Sequence, residues 1–164
     1  MALIDFTTYD EVRSVLGVST DEISDETIAL GVYETGLKIE LQAVATGLSA
    51  AYLAASQKSP VARSTSEQDL VDAVRLFSTY AVARQLTTSM PMAAPKEQTD
   101  NKASMVRFAT DPYKETVRSV KESFEKYRGY LSTLYDAYTS SSRAGVARLY
   151  CVVSKPSSDP VAGT

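Results

Sequence analysis

Apolar residues recur every three or four positions along most of the chain, the period of a helix with one buried side. Near the start, Thr8-Tyr9-Asp10-Glu11 is a capping box, in which a threonine hydroxyl and a glutamate carboxylate satisfy free N–H groups at a helix N-terminus. The helix it opens presents Val12, Val15 and Leu16, and Gly17 suits a left-handed stop. Ser19-Thr20-Asp21-Glu22 and Ser24-Asp25-Glu26-Thr27 offer two further starts. A long second helix is predicted from near Asp25, with Leu30, Tyr33, Leu37, Leu41, Val44 and Leu48 on its apolar side and a break near Thr46-Gly47. Ala50 to Ala55 is expected to continue as a short helix before the polar linker Ser56 to Thr65.

Ser64 to Gln68 caps a third helix carrying two adjoining stripes. Leu70, Val74, Phe77 and Ala81 form one, and Val71, Val82 and Leu86 the other, so this helix is predicted to be central and buried on more than one side. Pro91 and Pro95 are expected to end it over Thr87 to Pro95. Lys96 to Thr110 has no clear period but contains the turn signal Asp100-Asn101-Lys102, followed by Met105, Val106 and Phe108 around Arg107. The last helix is predicted from a cap at Asp111 with Pro112 in the first helical position. Its seam, Tyr113, Val117, Val120, Phe124, Tyr127, Leu131, Leu134 and Tyr138, keeps a strict four-three spacing suited to packing within its own domain or against a neighbouring subunit.

The pattern changes after the serine run Thr139 to Ser142. Val146-Ala147-Arg148-Leu149-Tyr150-Cys151-Val152-Val153 reads as a strand, and an extended segment beside a helical body leaves its backbone groups unpaired unless another chain supplies a partner. The expected fold is therefore all-α: a small bundle of four to five helices with a long final helix and an extended, strand-like C-terminal arm. Residues 1–142 form the body and 143–164 the arm, with Val146, Arg148, Leu149, Tyr150, Val152 and Val153 as its candidate partner-binding residues. An arm folded back on its own body is the alternative.

Composition narrows the chemistry. The 164 residues include no histidine and one cysteine, Cys151. That removes His-dependent nucleophile pairs, an intramolecular disulfide and cysteine-cluster zinc sites. No phosphate loop, dinucleotide fingerprint or nucleophile elbow is present, so no catalytic, cofactor or metal residue is assigned and no cofactor is expected. The acids from Asp21 to Glu26 sit at helix starts, where they favour the positive end of the dipole. Lys114, Arg118, Lys121, Lys126 and Arg128 form a basic stripe, but Glu115, Glu122 and Glu125 interrupt it.

Net charge is −3, unevenly spread: residues 1–59 hold nine acids and three bases, and residues 60–164 hold fourteen bases and eleven acids. Such asymmetry suits head-to-tail docking between copies, or simply a solvated surface. No stretch resembles a signal peptide or membrane span, so a soluble protein made in the cytoplasm is expected, without a membrane partner.

The order of parts resembles a known family. Tyr9-Asp10-Glu11-Val12-Arg13-Ser14-Val15-Leu16-Gly17-Val18, the acidic Asp21-Glu22-Ile23-Ser24-Asp25-Glu26 step and the Asp100-Asn101-Lys102-Ala103-Ser104 stretch before a long last helix look like the head–tail connector, or head-completion adaptor, proteins of tailed bacteriophages. The likeness covers roughly residues 8–138. It implies a non-enzymatic subunit of a dodecameric ring in the virion neck, at the head–tail junction, made in the host cytoplasm. Its partners would be the portal protein, neighbouring copies of itself and a tail or stopper protein, with DNA passing through the ring without specific binding. Because relatives hold partners through termini and loops, Met90, Met92, Lys102, Met105, Arg107 and Phe108 become a candidate partner-binding loop beside the arm. The competing expectation is a small helical DNA-binding or packaging-accessory protein.

Overall fold

The computed structural model describes residues 2–93, 98–100, 103–105 and 110–153, and the side chains of residues 2–88 and 114–140. Six α-helices are present among the described residues, in place of the four or five expected: α1 (Tyr9–Leu16), α2 (Asp25–Ile28), α3 (Gly31–Val44), α4 (Leu48–Ser56), α5 (Thr65–Ala93) and α6 (Thr110–Val153). Short 3-10 turns occupy Leu3–Asp5 and Pro60–Ala62, and two three-residue strands, β1 (Gln98–Asp100) and β2 (Ala103–Met105), lie between α5 and α6. The architecture is all-α, as the periodicity predicts.

The helix boundaries follow local chemistry. Thr8 Oγ1 accepts from the Glu11 amide at 3.2 Å while Glu11 Oε2 accepts from the Thr8 amide at 3.0 Å, completing the expected box. Gly17 closes α1 at φ 68°, a backbone that a β-carbon disfavours. Ser64 and Glu67 repeat the box at the start of α5, with amide contacts of 3.3 and 2.9 Å. The break at Gly47 is also found, at φ 92°.

Helix α5 is the central element and packs against α1, α3, α4 and α6. Both of its predicted stripes are buried: Leu70, Val74, Phe77 and Ala81 together with Val71, Val82 and Leu86. The α6 seam meets it through Val120, Phe124 and Leu131, which are buried, while Tyr127, Leu134 and Tyr138 pack at the margin. Phe77 and Phe124 lie 5.3 Å apart, and Tyr80 and Tyr127 5.1 Å apart. This seam is thus consumed within its own domain.

Several boundaries differ from expectation. The predicted second helix is divided, because Leu30 takes an extended backbone (φ −57°, ψ 131°) between α2 and α3. Helix α5 passes through Pro91 to Ala93. A proline this close to a helix end costs one i→i−4 bond and leaves little helix beyond it to misalign. Helix α6 begins at Thr110, so Asp111 and Pro112 fall inside its first turn. The turn signal at Asn101-Lys102 lies outside the described residues, between strands that pair Asp100 with Ala103 and Gln98 with Met105.

The largest correction concerns the strand-like arm. Residues 143–153 are helical and continue α6 without interruption across Ser142. Three serines weaken a helix without stopping one, and no proline follows until Pro156. Arg143, Ala144, Ala147, Arg148 and Leu149 are good helix formers, and extending an existing helix gains a hydrogen bond per residue without repeating the cost of nucleation. Residues 154–164, the remainder of the proposed arm, lie outside the described residues.

Candidate functional site

The N-terminal third is organised around Arg13, which enters the sequence only as one member of the Tyr9–Val18 segment. Its side chain is buried, yet Nη2 donates to Asp10 Oδ1 at 2.6 Å and Nη1 donates to Asp25 Oδ1 at 2.6 Å and to the Ile23 carbonyl at 3.3 Å. The fork thereby ties α1 to the first turn of α2. The only signal in the sequence was an arginine three residues after Asp10, and nothing there named Asp25 as the second partner. Glu22 Oε2 accepts from the Ser19 amide at 3.0 Å, so this acid also serves local backbone geometry. Asp21, Glu22, Asp25 and Glu26 are all exposed. Among the described residues, no three His, Cys, Asp or Glu side chains gather as a metal site.

Three further contacts orient the bundle. Glu40 of α3 pairs with Arg84 of α5, and the Arg84 guanidinium lies 4.0 Å from the centre of the Phe124 ring. Gly36 of α3 lies so close to Gln85 that a β-carbon there would displace the side-chain amide. At the other end of α3, the Tyr135 hydroxyl donates to the Thr46 carbonyl at 3.4 Å. Helix α3 is thereby tied to α5 directly, and the loop that follows it is tied to α6. Across the α1–α5 contact, Thr7 and Thr79 hydroxyls meet at 2.7 Å and Arg75 reaches Glu11 at 3.0 Å. Burial raises the Glu11 pKa, but the Thr8 amide and the Arg75 charge outweigh it and hold the carboxyl below its ordinary range.

The corner formed by α2 and the start of α3 leaves large apolar side chains in solvent. Leu30 is 52% exposed, Val32 65% and, farther along α3, Ile39 61%. Scattered apolar exposure is ordinary, but Val32 and Ile39 are seven residues apart and share one side of α3. The basic stripe on α6 is partly neutralised, with Arg118 Nε donating to Glu122 at 2.8 Å. An open groove of about 460 Å³ there is lined by Lys114, Val117, Arg118, Lys121 and Glu122.

The two candidate partner-binding groups are not brought together. Val146, Arg148, Leu149, Tyr150, Val152 and Val153 occupy the last turns of α6. Met90 and Met92 belong to the last turns of α5 and Met105 to β2, at the opposite end of the α5–α6 pair. Lys102, Arg107 and Phe108 lie outside the described residues. From Thr110 to Val146 the helix rises ~54 Å at 1.5 Å per residue. Among the described residues, no helix is long and apolar enough to cross a membrane. Comparison of the chain with protein-family models, curated protein sequences and solved structures finds no match to any of the three.

Proposed function

We propose that the chain is a structural, non-enzymatic connector subunit, similar to the head–tail adaptors of tailed bacteriophages. In this reading it forms a ring, dodecameric by that resemblance, that joins the portal to the tail and extends the DNA channel. One observation carries the reading: a single continuous helix rises ~54 Å from Thr110, which follows the candidate loop in the chain, to Val146, where the second candidate group begins. A subunit that must hold a different neighbour at each end needs a rigid strut of this kind. The interrupted charge stripe on α6 is consistent with a wall that lets duplex DNA pass without gripping it.

The reading is tested by native mass spectrometry of the full chain with portal rings of tailed bacteriophages, followed by imaging of the particle neck. A closed ring of this chain between portal and tail is expected. A neck that lacks the chain, or a portal that never retains it, would overturn the proposal. Truncation after Ser142 is expected to leave a helical body of near-native stability but to abolish incorporation into particles; normal incorporation would remove the C-terminal turns of α6 from the partner-binding surface.

A further inference from the structure

We infer that the outward side of α3 is a weak two-fold docking surface, on which α3 of a second copy of the chain lies antiparallel. The pattern is contained in one helix. Tyr33, Leu37 and Leu41 are buried and face the bundle. Val32, Thr35, Ile39 and Gln42 have the three-four spacing of a helix–helix seam, and all four are exposed. At 3.6 residues per turn, the mean direction of this seam is about 180° from that of the buried set.

The composition of the seam is that of a contact rather than of a solvated side. Solvated helix sides are ordinarily charged, as Lys114, Arg118, Lys121, Glu122 and Glu125 are on α6. The α3 seam carries no charge and holds three β-branched residues, Val32, Thr35 and Ile39. Such residues are poor helix formers, and an exposed position favours them only where something packs on them. The Thr35 hydroxyl donates to the Gly31 carbonyl at 2.9 Å, so its polar group is satisfied within the helix and loses nothing when the seam is covered.

The charges beside the seam name the occupant. Glu34 and Lys38 are four residues apart and lie on one flank, the side that borders Leu3 and Phe6, and both are exposed. The remaining charge of α3, Glu40, is held by Arg84. Among the described residues, neither Glu34 nor Lys38 enters an ion pair. A two-fold axis near Gly36 sets Glu34 of each copy level with Lys38 of the other, and Val32 within ~1.5 Å of the level of Ile39. Packed helix axes lie about 8–10 Å apart, a gap that glutamate and lysine side chains span together along the flank. A parallel pair would instead set Glu34 beside Glu34 and Lys38 beside Lys38, and is disfavoured by like charge. The seam is its own complement, as an isologous dimer requires. One pair of helices buries less than the roughly 1,200 Å² of a standard interface, so the dimer is reversible. This contact is independent of the connector reading, because a two-fold contact closes on two copies whereas a ring needs a head-to-tail one.

The test uses the full-length chain, with light scattering and native mass spectrometry over about 10 μM to 1 mM. The native chain should pass from monomer to dimer in that range. Glu34→Lys and Lys38→Glu should each weaken dimerisation roughly tenfold, because two-fold symmetry replaces two attractive pairs with two repulsive ones. An equimolar mixture of these two variants should form heterodimers at near-native affinity, and Glu34→Lys combined with Lys38→Glu in one chain should recover the homodimer. Ile39→Asp should abolish dimerisation while leaving the helicity of the monomer unchanged. A native chain that stays monomeric, single charge variants that dimerise like the native chain, a mixture without excess heterodimer, or a dimer that survives Ile39→Asp would each overturn the inference. Portal binding without a two-fold dimer would sink this contact alone, and a two-fold dimer that never binds a portal would sink the connector reading alone.

Discussion

Phe124 is where the helical body can be probed most directly. Its ring is fully buried, 5.3 Å from Phe77 and 4.0 Å from the Arg84 guanidinium, so three elements of the bundle converge on it once the Arg84–Glu40 pair is included. Phe124→Ala removes the ring from a site that can collapse only in part, and about 3–5 kcal/mol of stability should go with it. Phe124→Leu keeps most of the apolar volume and loses the π interactions. The aromatic pair contributes about 0.5–1.5 kcal/mol. The cation stack adds about 0.5–1 kcal/mol, since the Arg84 side chain is 31% exposed and only partly desolvated. Phe124→Leu is thus expected to cost about 1–2.5 kcal/mol. At about 2–4 °C per kcal/mol for a chain of this size, the melting point should fall by roughly 2–10 °C for leucine and 6–20 °C for alanine. Urea unfolding followed by far-UV circular dichroism measures both, at concentrations low enough for midpoints not to depend on protein concentration. A double-mutant cycle with Arg84→Met isolates the stack, because the loss of the Glu40 pair is common to both arms and cancels. An alanine variant destabilised by less than about 1 kcal/mol would place Phe124 in a surface-like environment and refute the α5–α6 packing. Additivity in the cycle would refute the stack alone.

The remaining predictions concern the N-terminal third. Arg13→Met should lower the melting point by only a few degrees and speed amide exchange across Asp25–Ile28, because Asp10 and Asp25 are 89% and 61% exposed and return to water without becoming buried charges; global unfolding would contradict this. Gly17→Ala should cost about 1–2 kcal/mol through backbone conformation alone, since φ is 68° and nothing stands near its α-carbon to clash; a neutral effect in urea unfolding would contradict the left-handed stop. The Glu11 and Glu67 carboxyls have folded pKa values below the ordinary value, the latter through Lys58 and the Ser64 amide, so their contribution to stability is present above the unfolded pKa of about 4.3 and is lost as pH falls through the folded values. The melting point should therefore decline from about pH 5 downward, and more shallowly in Glu11→Gln; parallel profiles for the two proteins would contradict this.

Much of the body was legible because its signals are local. A capping box needs only a threonine or serine and a glutamate three residues apart; the one expected at Thr8–Glu11 is found, and the cap expected at Ser64 is a second, completed by Glu67. The strict spacing from Val120 to Tyr138 and the double stripe of α5 likewise announce which sides are buried. Errors arose where a local signal had two readings. Val146 to Val153 has the composition of a strand, but it follows directly on a helix that needs only to be extended. Pro91 breaks a helix in principle and costs little when only Met92 and Ala93 remain to follow it. Arg13 shows the opposite failure: an unremarkable base in the sequence becomes the fork that joins α1 to α2, through a partner twelve residues away.

The sequence by itself determined the helical class, the places where most helices begin and the sides they bury, because capping and periodicity act over three to seven residues and are written in adjacent letters. It also carried the charge asymmetry and the absence of histidine, which are properties of composition. Only the tertiary structure decided that Arg84 stands between Glu40 and Phe124 and that Tyr135 reaches the Thr46 carbonyl. Those relations join residues forty to ninety positions apart, and they depend on how whole helices pack around α5, which no local pattern specifies.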